Sequence, residues 1–168
     1  MYKRQVLKST EILKHLDYKI NDSHIKTGLN NVSNNTGLQG RWQVIQRKPM
    51  IICDTAHNEA ALREVISQLT DMEYSDLHFI IGFSNDKNLK KISKIFPEDS
   101  KYYFVQSKVG RARDAKEVRD IFKLNKRCGD YYKSIKNTIK HVKGVSKEND
   151  IIFIGGSTFV VSEIFDKN

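Results

Sequence analysis

The strongest constraint on the fold is periodicity: from about residue 40 onward, short apolar runs of strand length alternate with amphipathic segments of helix length. Residues 42–45 and 50–54 read as a short strand pair. Residues 77–83 are apolar enough for a strand covered on both faces, 102–105 and 151–154 are further buried strands, and 127–131 is a weaker one. A helix over 59–69 places Ala60, Leu62, Val65, Ile66 and Leu69 on one stripe. A second, over 88–96, turns Leu89, Ile92 and Ile95 inward, with Asp86 as its expected cap. Asp114-Ala115-Lys116-Glu117 is a capping-box-like entry to a helix ending near Lys123; another covers 134–142, and a closing helix carries Phe159, Val160 and Ile164.

Strands separated by helices of this length imply right-handed crossovers and a mainly parallel sheet. The expected fold class is therefore α/β: a Rossmann-like three-layer domain, preceded by two short helices over 6–16 and 23–31. Those helices carry Val6, Leu7, Ile12, Leu13, Leu16, Ile20, Ile25 and Leu29, an apolar stripe without an obvious partner in so short a segment. The polar stretch Val32-Ser33-Asn34-Asn35-Thr36-Gly37 favours turns, so the expected boundary separates residues 1–36 from a domain over 37–168.

A chain of 168 residues supports one real core, or one domain plus a fragment. Its two cysteines, Cys53 and Cys128, form neither a disulfide framework nor a paired metal signature, which fits a reducing, cytoplasmic setting. Lys8, Glu11, Lys14 and Asp17 interrupt the apolar positions near the start, so neither a signal peptide nor a membrane span is expected. The net charge of +9 raises nucleic acid as a partner, but the lysines are scattered over helix faces. They suit solvated surfaces, or attraction of an anionic small substrate, better than a nucleic-acid face.

Chemistry-bearing residues cluster where strands give way to helices. Asp54-Thr55-Ala56-His57-Asn58 puts a carboxylate, an imidazole and a carboxamide just beyond a buried strand, where open α/β sheets bind ligands. Gly40-Arg41-Trp42-Gln43 lies before it, and Gly155-Gly156-Ser157 follows the last buried strand. Each has an ordinary reading: Asp54 as a turn residue, Asn58 as a cap, His57 and Arg41 as surface groups, and Gly156-Ser157 as a tight turn. Their shared position at one end of the expected sheet favours a site.

These landmarks, with Asn85-Asp86-Lys87, Arg111-Ala112 and Gly155-Gly156-Ser157-Thr158-Phe159, resemble the C-terminal domain of the folylpolyglutamate synthase/dihydrofolate synthase family of the Mur ligase superfamily. The resemblance runs in order from about residue 6, the two leading helices resembling the tail of that family's N-terminal ATPase domain. It implies an ATP-dependent ligase joining L-glutamate to a folate or dihydropteroate carboxylate through an acyl phosphate, and a monomer when full length. It implies Arg41 at the ATP phosphates, Asp54 at the ribose, His57 near the nucleotide and reaction centre, Asn58 at the nucleotide, and Ser157 with His57 at the incoming glutamate. Thr55 stands where the family usually has glycine, and Thr158-Phe159 where it often has Leu-Tyr.

The residue chemistry is compatible with those roles. Guanidinium stays charged and grips two phosphate oxygens at once, and a strand-end carboxylate accepts from ribose hydroxyls. An exposed helix start capped by Asn58 favours an anion. No Gly-x-x-x-x-Gly-Lys-Ser/Thr loop occurs in the chain; the resemblance implies that the glycine-rich ATP loop, the Mg2+ ligands and most of the folate site lie in a missing N-terminal domain. On that reading this chain is inactive alone. Two alternatives stay open: a fragment of a Mur-type cell-wall precursor ligase, and a stand-alone basic Rossmann-like binding module.

Overall fold

A computed structural model describes residues 2–166. The chain divides into two compact units between Gln39 and Gly40, a little beyond the boundary expected at residues 36 and 37. The leading unit holds α1 (Tyr2–His15), α2 (Asp22–Asn30) and α3 (Val32–Thr36). Asn21 caps α2 by accepting from the His24 N–H, and Gly37, at φ 67°, ends α3. The stretch expected to be irregular thus forms one helical turn before the left-handed glycine stops it. None of residues 5–39 is buried; Leu7 and Ile12 of α1, and Leu16 just after it, are 50%, 61% and 63% exposed.

In the second unit, β1 (Gln43–Arg47) and β2 (Met50–Asp54) form an antiparallel pair, and α4 (Glu59–Thr70) follows. Next come β3 (Leu77–Ile81), α5 (Leu89–Ile92) continued by a 3-10 turn to Ile95, and β4 (Lys101–Val105). Then α6 (Ala115–Lys123), β5 (Gly129–Tyr132), α7 (Ile135–Val145), β6 (Ile151–Gly155) and α8 (Thr158–Phe165) complete the unit. The sheet order is β1-β2-β6-β3-β4-β5, with every pair parallel except β1 with β2. This is the mainly parallel α/β architecture expected from the periodicity.

Residues alternate across each strand, so the sheet feeds two cores. Ile52, Phe79, Phe104 and Phe153 pack with Leu62, Leu69, Leu89, Ile92, Val118 and Phe122 on the α4–α5–α6 face. Ile51, Cys53, Ile80, Val105, Ile152 and Ile154 pack with Ile135, Val142, Val160 and Val161 on the α7–α8 face. β3 and β6 are buried throughout, which is why their sequences are continuous apolar runs.

Local details depart from expectation where capping decides them. Asp86 does not cap the helix at 88–96; Asn88 does, accepting from the Lys91 N–H, while Asp86 pairs with Lys87. Ala60 is exposed and Ala61 takes the half-buried place on α4. Asp114 caps α6 through the Lys116 and Glu117 N–H groups, but Glu117 turns to Arg113 instead of closing a capping box.

A buried polar hub ties together the end of the sheet where the parallel strands begin. Asp150, 1% exposed, accepts from the Asp76 and Lys147 backbone N–H groups and meets His78 Nε2 at 3.2 Å; His78 Nδ1 lies 3.3 Å from the Tyr103 hydroxyl. The neutral imidazole satisfies both partners by donating from Nε2–H and accepting at Nδ1. Among the described residues, Asp76, His78 and Asp150 also form a group whose donor atoms lie within 4.8 Å. Asp76 is engaged by Lys101, so those donors serve the hydrogen-bond network.

Burial lowers the His78 pKa from its ordinary 6.5, a shift that outweighs the opposing pull of Asp150. The unfolded chain therefore binds a proton that the folded chain refuses as pH falls below 6.5, and stability drops on acidification. Urea midpoints measured from pH 8 to pH 5 will fall for wild type over this window and flatten in His78→Phe. An unchanged slope in the variant rules out His78 as the cause.

Candidate functional site

The carboxyl ends of the parallel strands collect the residues singled out by sequence. Asp54 ends β2 and lies in register with Gly155, which ends β6 and in turn pairs with Ile81 of β3. The loops leaving β2 and β6 are therefore neighbours, although a hundred residues separate them. Gly156, at φ 84°, makes the turn; a Cβ there would lie 2.7 Å from the Gly82 carbonyl oxygen. Only glycine fits such a left-handed, crowded position.

Asp54 is the hinge of the site. Its Oδ2 accepts from the Trp42 N–H and its Oδ1 from the Ala56 N–H, both at 2.7 Å. The Gly40 carbonyl accepts from Thr55 N–H at 2.9 Å, and the Gly40 N–H donates to Gln43 Oε1 at 2.7 Å. These bonds hold Trp42 at φ 44° and Gly40 at φ 68°, and fix the backbone that presents the exposed Arg41. A Cβ on Gly40 would meet Val161 Cγ1 at 2.6 Å, so the loop is also pressed onto α8. Each Asp54 oxygen keeps a further acceptor position after its backbone bond.

His57 is exposed, with Nδ1 3.0 Å from the Thr55 carbonyl. A carbonyl only accepts, so Nδ1 carries the hydrogen and the neutral ring offers its lone pair at Nε2. Asn58 caps α4: its Oδ1 accepts from the Ala61 N–H at 2.9 Å, leaving its amide hydrogens as donors. Ser157 is buried and caps α8, its Oγ accepting from the Phe159 N–H at 3.2 Å, which leaves the hydroxyl hydrogen to donate elsewhere. The structure thus brings Asp54, His57 and Asn58 to the start of α4, links Arg41 to them through the Trp42–Asp54 bond, and sets Ser157 on the adjacent strand end.

Further residues joined here were not assigned roles from sequence. The Arg111 guanidinium lies over the Phe159 ring at 4.7 Å, and the Lys108 N–H donates to Glu163 Oε1 at 2.6 Å, fastening the β4–α6 loop to α8. Arg113 bonds across to the β3–α5 loop. Arg111 was visible only as a landmark. Arg113 had no local signal beyond its spacing to Glu117, because its other partners lie 26 and 28 residues away.

Thr55 is a misfit at the start of the α4 loop: its Oγ1 is buried with no hydrogen-bond partner. Removing an unsatisfied hydroxyl at constant shape costs nothing and can gain stability. Thr55→Val will leave the melting temperature unchanged or raise it, by up to about 1 kcal/mol of unfolding free energy. A clear loss of stability in thermal unfolding would show that the hydroxyl has a partner after all.

Comparison with known proteins bears on the family and the fold. The family model for the Mur ligase, glutamate ligase domain, matches residues 40–158. A dihydrofolate synthase/folylpolyglutamate synthase of Buchnera aphidicola subsp. Schizaphis graminum is 24% identical over 86% of this chain and 34% of its own length. Its counterpart from Buchnera aphidicola subsp. Acyrthosiphon pisum is 28% identical over 87% of this chain and 34% of its own. A solved bifunctional folylpolyglutamate synthase/dihydrofolate synthase with Mn, AMPPNP and L-glutamate bound superposes with a TM-score of 0.78 at 20% identity, covering 93% of this chain and 37% of that one. The chain therefore spans about a third of the length of these relatives.

Proposed function

The chain belongs to the Mur ligase, glutamate ligase domain family, and from that premise we propose that it is the C-terminal part of an ATP-dependent carboxylate-amine ligase. The whole protein joins L-glutamate to a folate or dihydropteroate carboxylate. The observation that carries this reading is the Asp54 bracket, which locks the Arg41 loop beside the start of α4 on the rim that also bears Ser157.

The groups on that rim suit an anionic nucleotide. Arg41 supplies a permanent charge for phosphate oxygens, and the amides at the start of α4 add partial positive charge, with Asn58 donating from its carboxamide. Asp54 first holds the loop and uses its remaining acceptor positions for ribose hydroxyls. ATP supplies the leaving group that turns a carboxylate oxygen into phosphate, through an acyl phosphate. His57 Nε2 hydrogen-bonds the attacking amine of glutamate and takes up the proton released as the amide forms. Ser157 donates its hydroxyl hydrogen to the same substrate.

The rim brings a single strand-end carboxylate, each of whose oxygens already accepts a backbone N–H, so it does not by itself make a magnesium site. The donor group formed by Asp76, His78 and Asp150 lies at the opposite end of the strands. Metal ligands, the folate site and the phosphate-cradling loop are assigned to an N-terminal ATPase domain. The exposed Leu7 and Ile12 of α1, with Leu16 just after it, give that domain an apolar face to cover. No helix among the described residues is long and apolar enough to cross a membrane. The two free cysteines, one of them exposed, accord with a reducing cytoplasmic setting, and we take the whole ligase to be a monomer.

The purified 168-residue chain will neither hydrolyse ATP nor form glutamate-dependent product; turnover by the chain alone would refute the division of labour. It will bind ATP weakly in an NMR titration, with shifts at residues 41 and 56–59. Arg41→Ala will weaken that binding about tenfold, the worth of one charge-assisted contact. Salt-sensitive binding of duplex DNA through the lysine-bearing helix faces, without a response to ATP, would instead support the stand-alone binding module.

A further inference from the structure

Two loops at the carboxyl end of the sheet are stitched into one piece. Between β3 and α5, Ser84 bridges Ala112 of the β4–α6 loop in antiparallel fashion, and the Asn85 N–H donates to the Arg111 carbonyl at 3.0 Å. The Arg113 N–H donates to the Phe83 carbonyl at 2.8 Å. The Arg113 side chain completes the join. Its Nη2 donates to the Asn85 carbonyl and, at 3.4 Å, to that of Lys87, while Nη1 meets Glu117 Oε1 at 3.2 Å. Its Nε–H is buried without an acceptor, so the guanidinium is held by what its outer nitrogens reach.

The same lip carries Arg111. Among the described residues Arg111 makes no ion pair; its guanidinium rests on Phe159, two residues beyond Ser157. A cation stacked on a ring keeps its N–H edges available for a carboxylate.

We propose that Arg113 is a positioning residue: it fastens the β3–α5 and β4–α6 loops into one lip and thereby fixes the Arg111 guanidinium on Phe159 to receive a carboxylate of the amino-acid substrate. The receiving role rests on the ligase reading; the fastening does not. Planar fork geometry is essential, because one guanidinium reaches two carbonyls and a carboxylate together, whereas an ammonium is a single point. Arg113→Lys, which keeps the charge, is thus the informative variant.

The test uses the 168-residue chain in wild-type, Arg113→Lys and Arg113→Met forms. In wild type the Asn85 amide exchanges slowly and the Arg111 side-chain protons are ring-shifted by Phe159, with Phe159→Leu giving the unshifted reference. Both variants will speed exchange at Asn85 and Lys87 about tenfold, as expected for a local opening, and abolish the ring shift, while β3 and β6 keep wild-type protection. Wild-type behaviour in Arg113→Lys, or faster exchange spread over the whole sheet, overturns the fastening. L-Glutamate titrated into wild type will shift the Arg111 and 157–159 signals, and the variants will weaken that binding several-fold without altering ATP affinity. L-Glutamine separates the two carboxylates: a tenfold weaker response than glutamate assigns the side-chain carboxylate to Arg111, and an equal response assigns the α-carboxylate. No glutamate response in wild type, or an equal one in the variants, overturns the receiving role. The ligase reading is decided separately, by the ATP titration at Arg41.

Discussion

The carboxylate of Asp54 sits at the last position of β2 and accepts one backbone N–H from each of two segments that would otherwise part company. One oxygen holds Trp42 in a left-handed conformation that a large side chain rarely adopts; the other shapes the turn toward His57 and α4. Charge-assisted bonds of this kind are the strong ones, and here they offset backbone strain. The presentation of Arg41 and the entry to α4 both follow from that bracket. A carboxylate read from sequence as a ligand group turns out to be, first, the fastening of the site.

The two ends of the parallel strands divide the work. Where the strands begin, Asp150, His78 and Tyr103 close a buried network whose donors and acceptors satisfy one another. Where they end, the chain leaves cations, an exposed imidazole lone pair, a buried hydroxyl and helix starts that can still take partners. Polar groups that satisfy each other support a fold, and polar groups left with spare capacity serve a ligand. The family match falls on the domain that contains both ends, and the solved relative's fold covers 93% of the chain, reaching into the leading helices, although none of residues 5–39 is buried.

The elements of the second unit were legible because each strand and helix carries its own period: β3 and β6 are apolar at every position, and α4 repeats Leu62, Val65, Ile66 and Leu69 at helical spacing. Capping by Asn58 and Asp114 was legible for the same local reason. Asp86 misled because Asn88, two residues later, competes for the same helix start and lies nearer to it. The short α3 was missed because four polar residues after Val32 look like a turn, and only the left-handed Gly37 marks them as the end of a helix.

The sequence by itself determined the alternating architecture, the fold class and the short motifs at strand ends, since those depend on hydrophobic period and on neighbours a few residues away. Only the tertiary structure decided what those motifs touch. The register of β2 beside β6 puts Asp54 level with Gly155, and the meeting of two loops gives Arg113 its partners on the β3–α5 loop and Arg111 its ring on α8. Such contacts are set by strand order and loop closure across the sheet, and no local period in the chain encodes them.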